Sequence, residues 1–518
     1  MQIPFRALGK FFYTGAMRAA RAWLSSHGLP LAILLAISYV AIVHNFWNPP
    51  NLFWDENYHI ASAQKYLNGI FFMEPHPPLG KLVIAAGEAI FNFNEVDDQF
   101  IGTDYGTQLP TGFVFAGYRL FPTLFAWFTA PVIFGIFLLL TRRNTWALLF
   151  SFLYVFDNAL IVHHRSAMLE STLLFFSCLT ILGFLLVLEW REDRRLLTRA
   201  AILFGASFAA VMTTKLFGLI LILLVPALLW ALWPRTDRIL RFLLAAAISF
   251  LVIYIAVWQT HFAIADHINP ALPEASTHPG YYQASDQYRA ILDAGKTGSP
   301  LAFPIMLRDS INFVSHYQNG VPRLDLCKAD ENGSPWFLWP VGARSISYRW
   351  ETPDGFSYRY LYLQSNPIIW FLGILGILMA LGFLAARFFL GIEEKLQNGY
   401  LITVFLGLYV SYMVAVSRID RVMYLYHYFL PLVFSLILFV LCFMEIKRFG
   451  KKILREEDKT AALFGLAFFV FLGFQFYRPF TYYEPLTDAQ FKSRALLSVW
   501  ELRCVHCSKE SIFTPSPK

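Results

Sequence analysis

The amino-acid sequence predicts an all-α polytopic membrane protein, a bundle of about eleven transmembrane helices with two long loops on the outer face. Three observations predict it. Of 518 residues, 57% are hydrophobic and only 15% charged, against about 45–50% and about 25% in an ordinary soluble domain. Apolar stretches of roughly 17–25 residues recur, each long enough to cross a hydrocarbon core as a helix, the conformation that leaves no backbone group bare in lipid. The Lys and Arg residues behind the net charge of +7 lie in short clusters between apolar runs. There they set orientation in a membrane and do not read as a nucleic-acid surface.

Taken in chain order, residues 1–28 carry Arg6, Lys10, Arg18 and Arg21 among aromatics and read as a basic interfacial segment on the cytoplasmic surface. No small-residue cleavage site follows the first apolar run. Spans are expected at 29–47, 118–140, 145–162, 167–189, 200–214, 216–233, 240–262, 366–389, 400–416, 422–444 and 460–477, which together make one membrane domain over 29–477. The connections after every second span hold Arg142 and Arg143, Arg191 to Arg199, Arg235 to Arg241, Arg387 with Lys395, and Lys447 to Lys459. Positive charge marks the cytoplasmic side, so the tail, 478–518, falls outside. Two long segments, 48–117 and 263–365, then lie on the outer face, where the chemistry is expected. Their aromatic content argues against disorder, and both are expected to fold down onto the bundle.

Just past the first span stands Phe53-Trp54-Asp55-Glu56-Asn57-Tyr58. A carboxylate here suits a general base or a metal-orienting group, or simply the N-cap and first turn of a helix. Glu74-Pro75-His76-Pro77-Pro78-Leu79-Gly80-Lys81 follows, a rigid turn that suits holding His76 and Lys81 against a phosphate or sugar. Its plain alternative is a proline-initiated interfacial helix with a snorkelling lysine. Arg418 and Arg421, flanking Asp420 and near His427, fit a phosphate group or anionic headgroups equally. Lys215 and the His163-His164-Arg165 cluster read as interfacial anchors. Cys178 and Cys442 read as small buried hydrophobes. In the tail, Cys504-Val505-His506-Cys507 points to a local disulfide on an oxidising face and not to a metal site. No Gly-rich nucleotide fingerprint is present.

The acidic pair followed by HPPLGK resembles the protein O-mannosyltransferase family. Further resemblances follow in order: GYRLFP with Arg119, SAMLESTLLFF from Ser166 to Phe176, TTKLFGL from Thr213 to Leu219, GSPWFLWPVGARSISYRW from Gly333 to Trp350, QSNPIIWF from Gln364 to Phe371, and YLYHYFLPL from Tyr424 to Leu432. Glu170 stands where that family usually has Asp. The 263–365 loop is too short for the β-trefoil domain of eukaryotic members, so the resemblance is to the compact bacterial type.

The resemblance implies a GT-C fold and inverting transfer of a hexose, mannose above all, from a polyprenyl-phosphate carrier to Ser or Thr hydroxyls of exported proteins. It places the enzyme in a bacterial inner membrane, with its active site on the periplasmic face. Asp55 would be the base and Glu56 would hold acceptor or sugar. Arg119, with Lys81 and Arg421, would balance charge on the leaving phosphate, beside Arg418 and His427. His76 would shape the pocket and Glu170 would supply acidic support. No metal or other cofactor is assigned, and a carboxylate pair remains compatible with a divalent ion. The alternative is transfer of a sugar or aminosugar to a lipid or glycan, as in the lipid A aminoarabinose transferase type, whose later motif is usually Glu-Lys-Pro-Pro-Leu. A transporter would need charge near helix midpoints, and the spans carry it at their ends.

Overall fold

The computed structural model describes residues 25–102, 109–269, 284–328, 331–391 and 396–505. Its helices run, in chain order, α1 (Ser25–Val43), α2 (Glu56–Leu67), α3 (Leu79–Phe91), α4 (Ala116–Thr141), α5 (Asn144–Val155), α6 (Asn158–His164), α7 (Glu170–Glu189) and α8 (Arg194–Met212). A 3-10 segment, Leu216–Leu223, leads into α9 (Leu224–Leu232) and α10 (Thr236–Ile264). The second half holds α11 (Asp286–Asp293), α12 (Phe303–Gly320), α13 (Pro367–Phe389), α14 (Gly399–Val416), α15 (Phe429–Glu445) and α16 (Glu456–Tyr482). Among the described residues, nine helices are long and apolar enough to cross a membrane, the α15 span being counted from Leu425.

Two of the eleven expected spans differ from simple helices. The 145–162 span is broken into α5 and α6, which meet at 64°. Asp157 makes the break tolerable: its carboxylate caps α6 through Leu160 N (2.9 Å) and also accepts from Trp370 Nε1 (2.9 Å). A buried kink exposes backbone and polar groups that must find partners inside the protein, and apolar periodicity carries no trace of such a partner. The 216–233 span is shortened by its 3-10 turn, because Lys215 is extended (φ −159°, ψ 135°) and ends the preceding helix. A Cβ on Gly218 would lie 1.9 Å from Val211 Cγ1, so only glycine lets this turn close against α8. Gly205 does the same between α8 and α10, where a Cβ would meet the Ala246 carbonyl at 2.1 Å. Small residues at such crossings let membrane helices pack backbone to backbone.

The basic clusters gather at one end of the bundle. Arg142 pairs with Glu189, Arg143 with Glu456 at 3.0 Å, Arg194 with Asp237 at 3.3 Å, and Arg235 and Arg238 with Glu192 at 3.1 and 2.7 Å. Each joins the expected cytoplasmic connections to one another or to a helix end beside them. Lys395 lies outside the described residues.

At the other end, segment 48–117 folds as α2 and α3, and segment 263–365 supplies α11, α12 and two antiparallel strands, β1 (Ser347–Glu351) and β2 (Tyr358–Tyr362). After a β3–β4 hairpin at the basic end (Arg448–Phe449 and Lys452–Ile453), α16 carries the chain back across. It ends in β5 (Pro485–Leu486), which pairs with β2 to give the order β1-β2-β5. The helical bundle thus carries a small sheet that the sequence reading did not include, its strands being too short for a legible alternation. The tail is fastened to this sheet: the Tyr362 hydroxyl donates to the Arg503 carbonyl at 2.7 Å and Val505 N to the Tyr360 hydroxyl at 3.1 Å, while buried Trp500 donates to the Val341 carbonyl at 2.9 Å. Cys504 is disulfide-bonded, while Cys507 lies outside the described residues.

This two-ended arrangement predicts the outcome of reporter fusions. A fusion after Lys452 is expected to read cytoplasmic and one after Gly320 to read on the opposite side; identical readings would contradict the fold.

Candidate active site

The segment between α1 and α2 is locked by one buried ion pair. Glu56 in the first turn of α2 and Arg119 in the first turn of α4 are both 0% exposed. The guanidinium meets the carboxylate bidentately, Nε to Oε1 and Nη2 to Oε2, each at 2.7 Å. Its remaining N–H groups donate to the carbonyls of Trp47 (3.0 Å), Pro49 (2.6 Å) and Asn51 (2.7 Å). All five donors of an arginine are thereby used. The carboxylate accepts in addition from Phe53 N (3.2 Å) and from Ala167 N (2.9 Å), just before α7. The Phe53 and Phe115 rings lie 4.8 and 4.9 Å from the guanidinium carbon and close the pair off.

Locked in this way, the loop presents the neighbouring acid differently. Asp55 occupies the N-cap position of α2, yet its side chain makes no capping hydrogen bond. Trp54 before it has a positive φ of 53°, unusual for a bulky residue, and is held by stacking on Tyr348 of β1 and by an edge contact with Tyr424. The half-buried Asp55 carboxylate accepts only a long hydrogen bond, 3.4 Å, from the Tyr426 hydroxyl. Loss of solvent, then the nearby Glu170 carboxylate, push its pKa up to about 6. An acid perturbed in this way within a cleft is a candidate for chemistry.

Two further buried carboxylates, Glu170 near Asp55 and Glu74 on the proline turn, each have their own lysine. Glu170 at the head of α7 accepts from Lys215 Nζ through Oε1 (2.6 Å) and from His163 Nε2 through Oε2 (2.8 Å). Glu74 accepts from Lys81 and from the Ser62 hydroxyl (2.9 Å). Burial would raise the Glu74 carboxyl, but the Lys81 ammonium holds it well below the usual carboxylate range. This pair ties the start of α3 back onto the proline turn, and Leu79 N donates to the Thr213 carbonyl at 2.8 Å beside it. His76 is left on the wall of a cleft; burial, against the pull of Glu74, brings its pKa down to about 4. Its imidazole is therefore neutral at pH 7.

That cleft has a volume of about 740 Å³. Its walls are apolar, formed by the 3-10 segment through Leu216, Leu219 and Leu223 and by Ala415 and Val416 of α14. One end is basic, with Lys215, His76 and Arg421 close to an Arg323–Asp420 pair at 3.5 Å. Among the described residues, no group of three or more His, Cys, Asp or Glu side chains is arranged to hold a metal ion.

The structure therefore redistributes the residues singled out from sequence. His76, Lys215 and Arg421 line the basic end, Glu170 is bound to Lys215, and Asp55 lies within electrostatic reach of both Glu170 and Lys215. Arg119 and Glu56 do not face that end, which corrects their expected contacts with phosphate and with acceptor or sugar: every donor of the one is spent on the other and on backbone. Lys81 is likewise turned to Glu74 and Ser62, 3% exposed, and not to a phosphate. Arg418 is exposed and lies off the cleft wall. His427 packs between Trp339 and Tyr426, with Nδ1 3.0 Å from the Tyr424 carbonyl, and props the Tyr424–Tyr426 segment. Lys215 and His163, expected as interfacial anchors, are instead paired inside the site. Tyr348 and Tyr426, which sequence reasoning gave no role, contact it as well; both sat in motifs already noted, but an aromatic in an aromatic-rich chain carries no signal of its own.

Comparison with known proteins gives concordant similarities. Residues 16–267 match the family described as dolichyl-phosphate-mannose-protein mannosyltransferase, and residues 313–500 match the C-terminal four-transmembrane region of protein O-mannosyltransferase. The chain is 27% identical over 251 residues to dolichyl-phosphate-mannose–protein mannosyltransferase 1 of Schizosaccharomyces pombe, an alignment covering 45% of the chain and 27% of the relative. To protein O-mannosyl-transferase 2 of Danio rerio it is 26% identical over 285 residues, covering 50% and 35%. The chain thus aligns with about a third or less of each of these relatives. The fold matches that of the S. cerevisiae protein O-mannosyltransferase Pmt1-Pmt2 complex bound to the sugar donor, with a TM-score of 0.73 at 15% identity over 92% of both chains. The architecture is a GT-C membrane fold.

The buried pair has a testable cost. Breaking such a pair by removing one partner costs about 3–5 kcal/mol, so Arg119→Met is expected to lower the unfolding midpoint in detergent strongly. The double replacement Glu56→Leu with Arg119→Met should recover part of the loss; wild-type stability in the single variant would show that the pair is not a clamp.

Proposed function

Since the chain belongs to the protein O-mannosyltransferase family, we propose that it transfers mannose from a polyprenyl phosphate to Ser or Thr hydroxyls of exported proteins, on the periplasmic face of a bacterial inner membrane. The observation that carries this reading is the proximity of an uncapped, desolvated carboxylate, Asp55, to Lys215 at the basic end of an apolar cleft. A long isoprenoid cannot leave the bilayer. Its tail suits the walls of Leu216, Leu219 and Val416, and its phosphate the Lys215 and Arg421 end.

In this reading Asp55 takes the proton of the acceptor hydroxyl as the oxygen attacks the anomeric carbon and the bond to the phosphate oxygen breaks. The electron pair leaves with the phosphate, inverting the anomeric centre in one displacement. Lys215 and Arg421 balance the charge that develops there, in a site dry enough to make the attraction count. Neutral His76 offers a donor and an acceptor to sugar hydroxyls. Glu74 with Lys81, and Glu56 with Arg119, fix the frame in which these groups act.

Purified protein incubated with labelled polyprenyl-phosphate-mannose and a Ser/Thr-rich peptide should gain a hexose on the peptide, and no transfer would refute the proposal. General-base catalysis is worth about 10²–10⁴ in rate, so Asp55→Asn should lose that much turnover at saturating substrates. Its stability should stay unchanged because no cap is lost.

The pH profile provides a second check. The working form of Asp55 is the ionised one and its pKa is raised to about 6, so transfer should be full well above that value. It should then fall about tenfold per unit below it, as the base is protonated. A rate flat down to pH 4.5 would remove Asp55 from the role.

A further inference from the structure

Behind the cleft a continuous chain of hydrogen bonds runs from the small sheet to Lys215. The Tyr348 hydroxyl on β1 lies 2.5 Å from His163 Nδ1, His163 Nε2 lies 2.8 Å from Glu170 Oε2, and Glu170 Oε1 lies 2.6 Å from Lys215 Nζ. Resting on the reading of a lipid-phosphate donor, we propose that His163 is a positioning residue: held by Tyr348, it fixes the Glu170 carboxylate so that Lys215 stays aimed at the basic end of the cleft.

The chemistry of each member supports this. An imidazole has two ring nitrogens to satisfy, and here both are matched, Nδ1 by the tyrosine hydroxyl and Nε2 by the carboxylate. The imidazole side chain is 0% exposed and is absent from the cleft wall. It therefore acts through Glu170 and not on the donor. Its ring stacks on Tyr426 at 4.7 Å and meets Phe429 edge-on, which fixes its plane.

Glu170 has two oxygens and two partners. Without His163, the Oε2 lone pairs would be buried and unsatisfied, and the carboxylate would turn to chelate the ammonium with both oxygens. Lys215 would then be drawn away from the cleft, where it now lies over the Tyr426 and Phe217 rings at 5.5 and 5.8 Å. Tyr348 also stacks on Trp54, the residue before Asp55. One tyrosine thus references both the phosphate-binding cation and the base.

The test compares donor and acceptor kinetics in the full-length protein. His163→Phe keeps the stacked ring and removes both nitrogens; it should raise the donor KM on the order of tenfold, as loss of a hydrogen bond to a charged group does. The peptide KM should move less than about twofold, whereas kcat at saturating donor should fall as well, because Lys215 also balances the charge that develops on the leaving phosphate. His163→Gln restores an N–H and a carbonyl and should recover most of the donor affinity. Tyr348→Phe should shift the donor KM in the same direction by a smaller factor. Unchanged donor KM in His163→Phe, or in Tyr348→Phe should the former not fold, would overturn the proposal, as would a change confined to the peptide KM. Binding of polyprenyl phosphate without sugar, measured on the same proteins, separates the two readings. Wild-type protein that binds the lipid but transfers no sugar overturns the assigned reaction, while the ratio of dissociation constants between wild type and His163→Phe still decides the role of His163.

Discussion

The Glu56–Arg119 ion pair is the constraint on which the rest of the site depends. A charge buried at zero exposure is tolerated only when its attraction and hydrogen bonds offset its desolvation, and here five guanidinium N–H groups find five acceptors. Three of these are carbonyls of the loop that follows α1, so the pair defines the path of that loop as well as joining α2 to α4. With Ala167 N as a further donor, the turn before α7 is fixed to the same point. Trp54 and Asp55 have no freedom to adopt the ordinary capping geometry. The acid is turned towards Tyr426.

Charge in this site is partitioned by covalent reach. Glu74 and Glu170 each capture a lysine within hydrogen-bond distance, and a neutralised carboxylate is stable in a low-dielectric setting. Asp55 has a shorter side chain and a long bond to a tyrosine hydroxyl. Burial desolvates Asp55 and Glu74 alike, but a lysine ammonium outweighs it at Glu74 and none does at Asp55, which is why the Asp55 pKa rises while that of Glu74 falls. A pKa near the working pH is what a general base requires, at the expense of local stability when the group is charged. The cations are divided in the same manner: Lys81 is committed to the frame, whereas Lys215 is paired on one side and borders the cleft on the other.

Bundle and site are coupled through broken helices. The α5–α6 kink at Asp157 turns the chain so that His163 faces Glu170, and the extended Lys215 together with the 3-10 segment after it turns an apolar span into a cleft wall. Irregular backbone at membrane depth persists where protein groups satisfy it, and Asp157 with Asn366 and Trp370 does so here. The small sheet contributes Tyr348 to the centre, and its third strand ties the end of α16 to β2.

By itself the sequence determined the membrane bundle, the clustering of Lys and Arg between apolar runs, the two long segments between spans, and the nearness of the Asp55-Glu56 pair to the HPPLGK turn. Those features are local: apolar run length, the placement of Lys and Arg, and adjacent residues read directly along the chain. Only the tertiary structure decided which charges face the cleft. Arg119, the most prominent cation of its segment, spends every donor on Glu56 and backbone, while Lys215, unremarkable between two apolar runs, becomes the cation at the cleft. An ion pair between residues 63 positions apart, or 45 apart for Lys215 and Glu170, depends on helix crossings and on the positions of kinks. Those are set by side-chain packing such as Gly218 against Val211 and by buried polar contacts such as Asp157 with Trp370, neither of which leaves a periodic mark in the sequence.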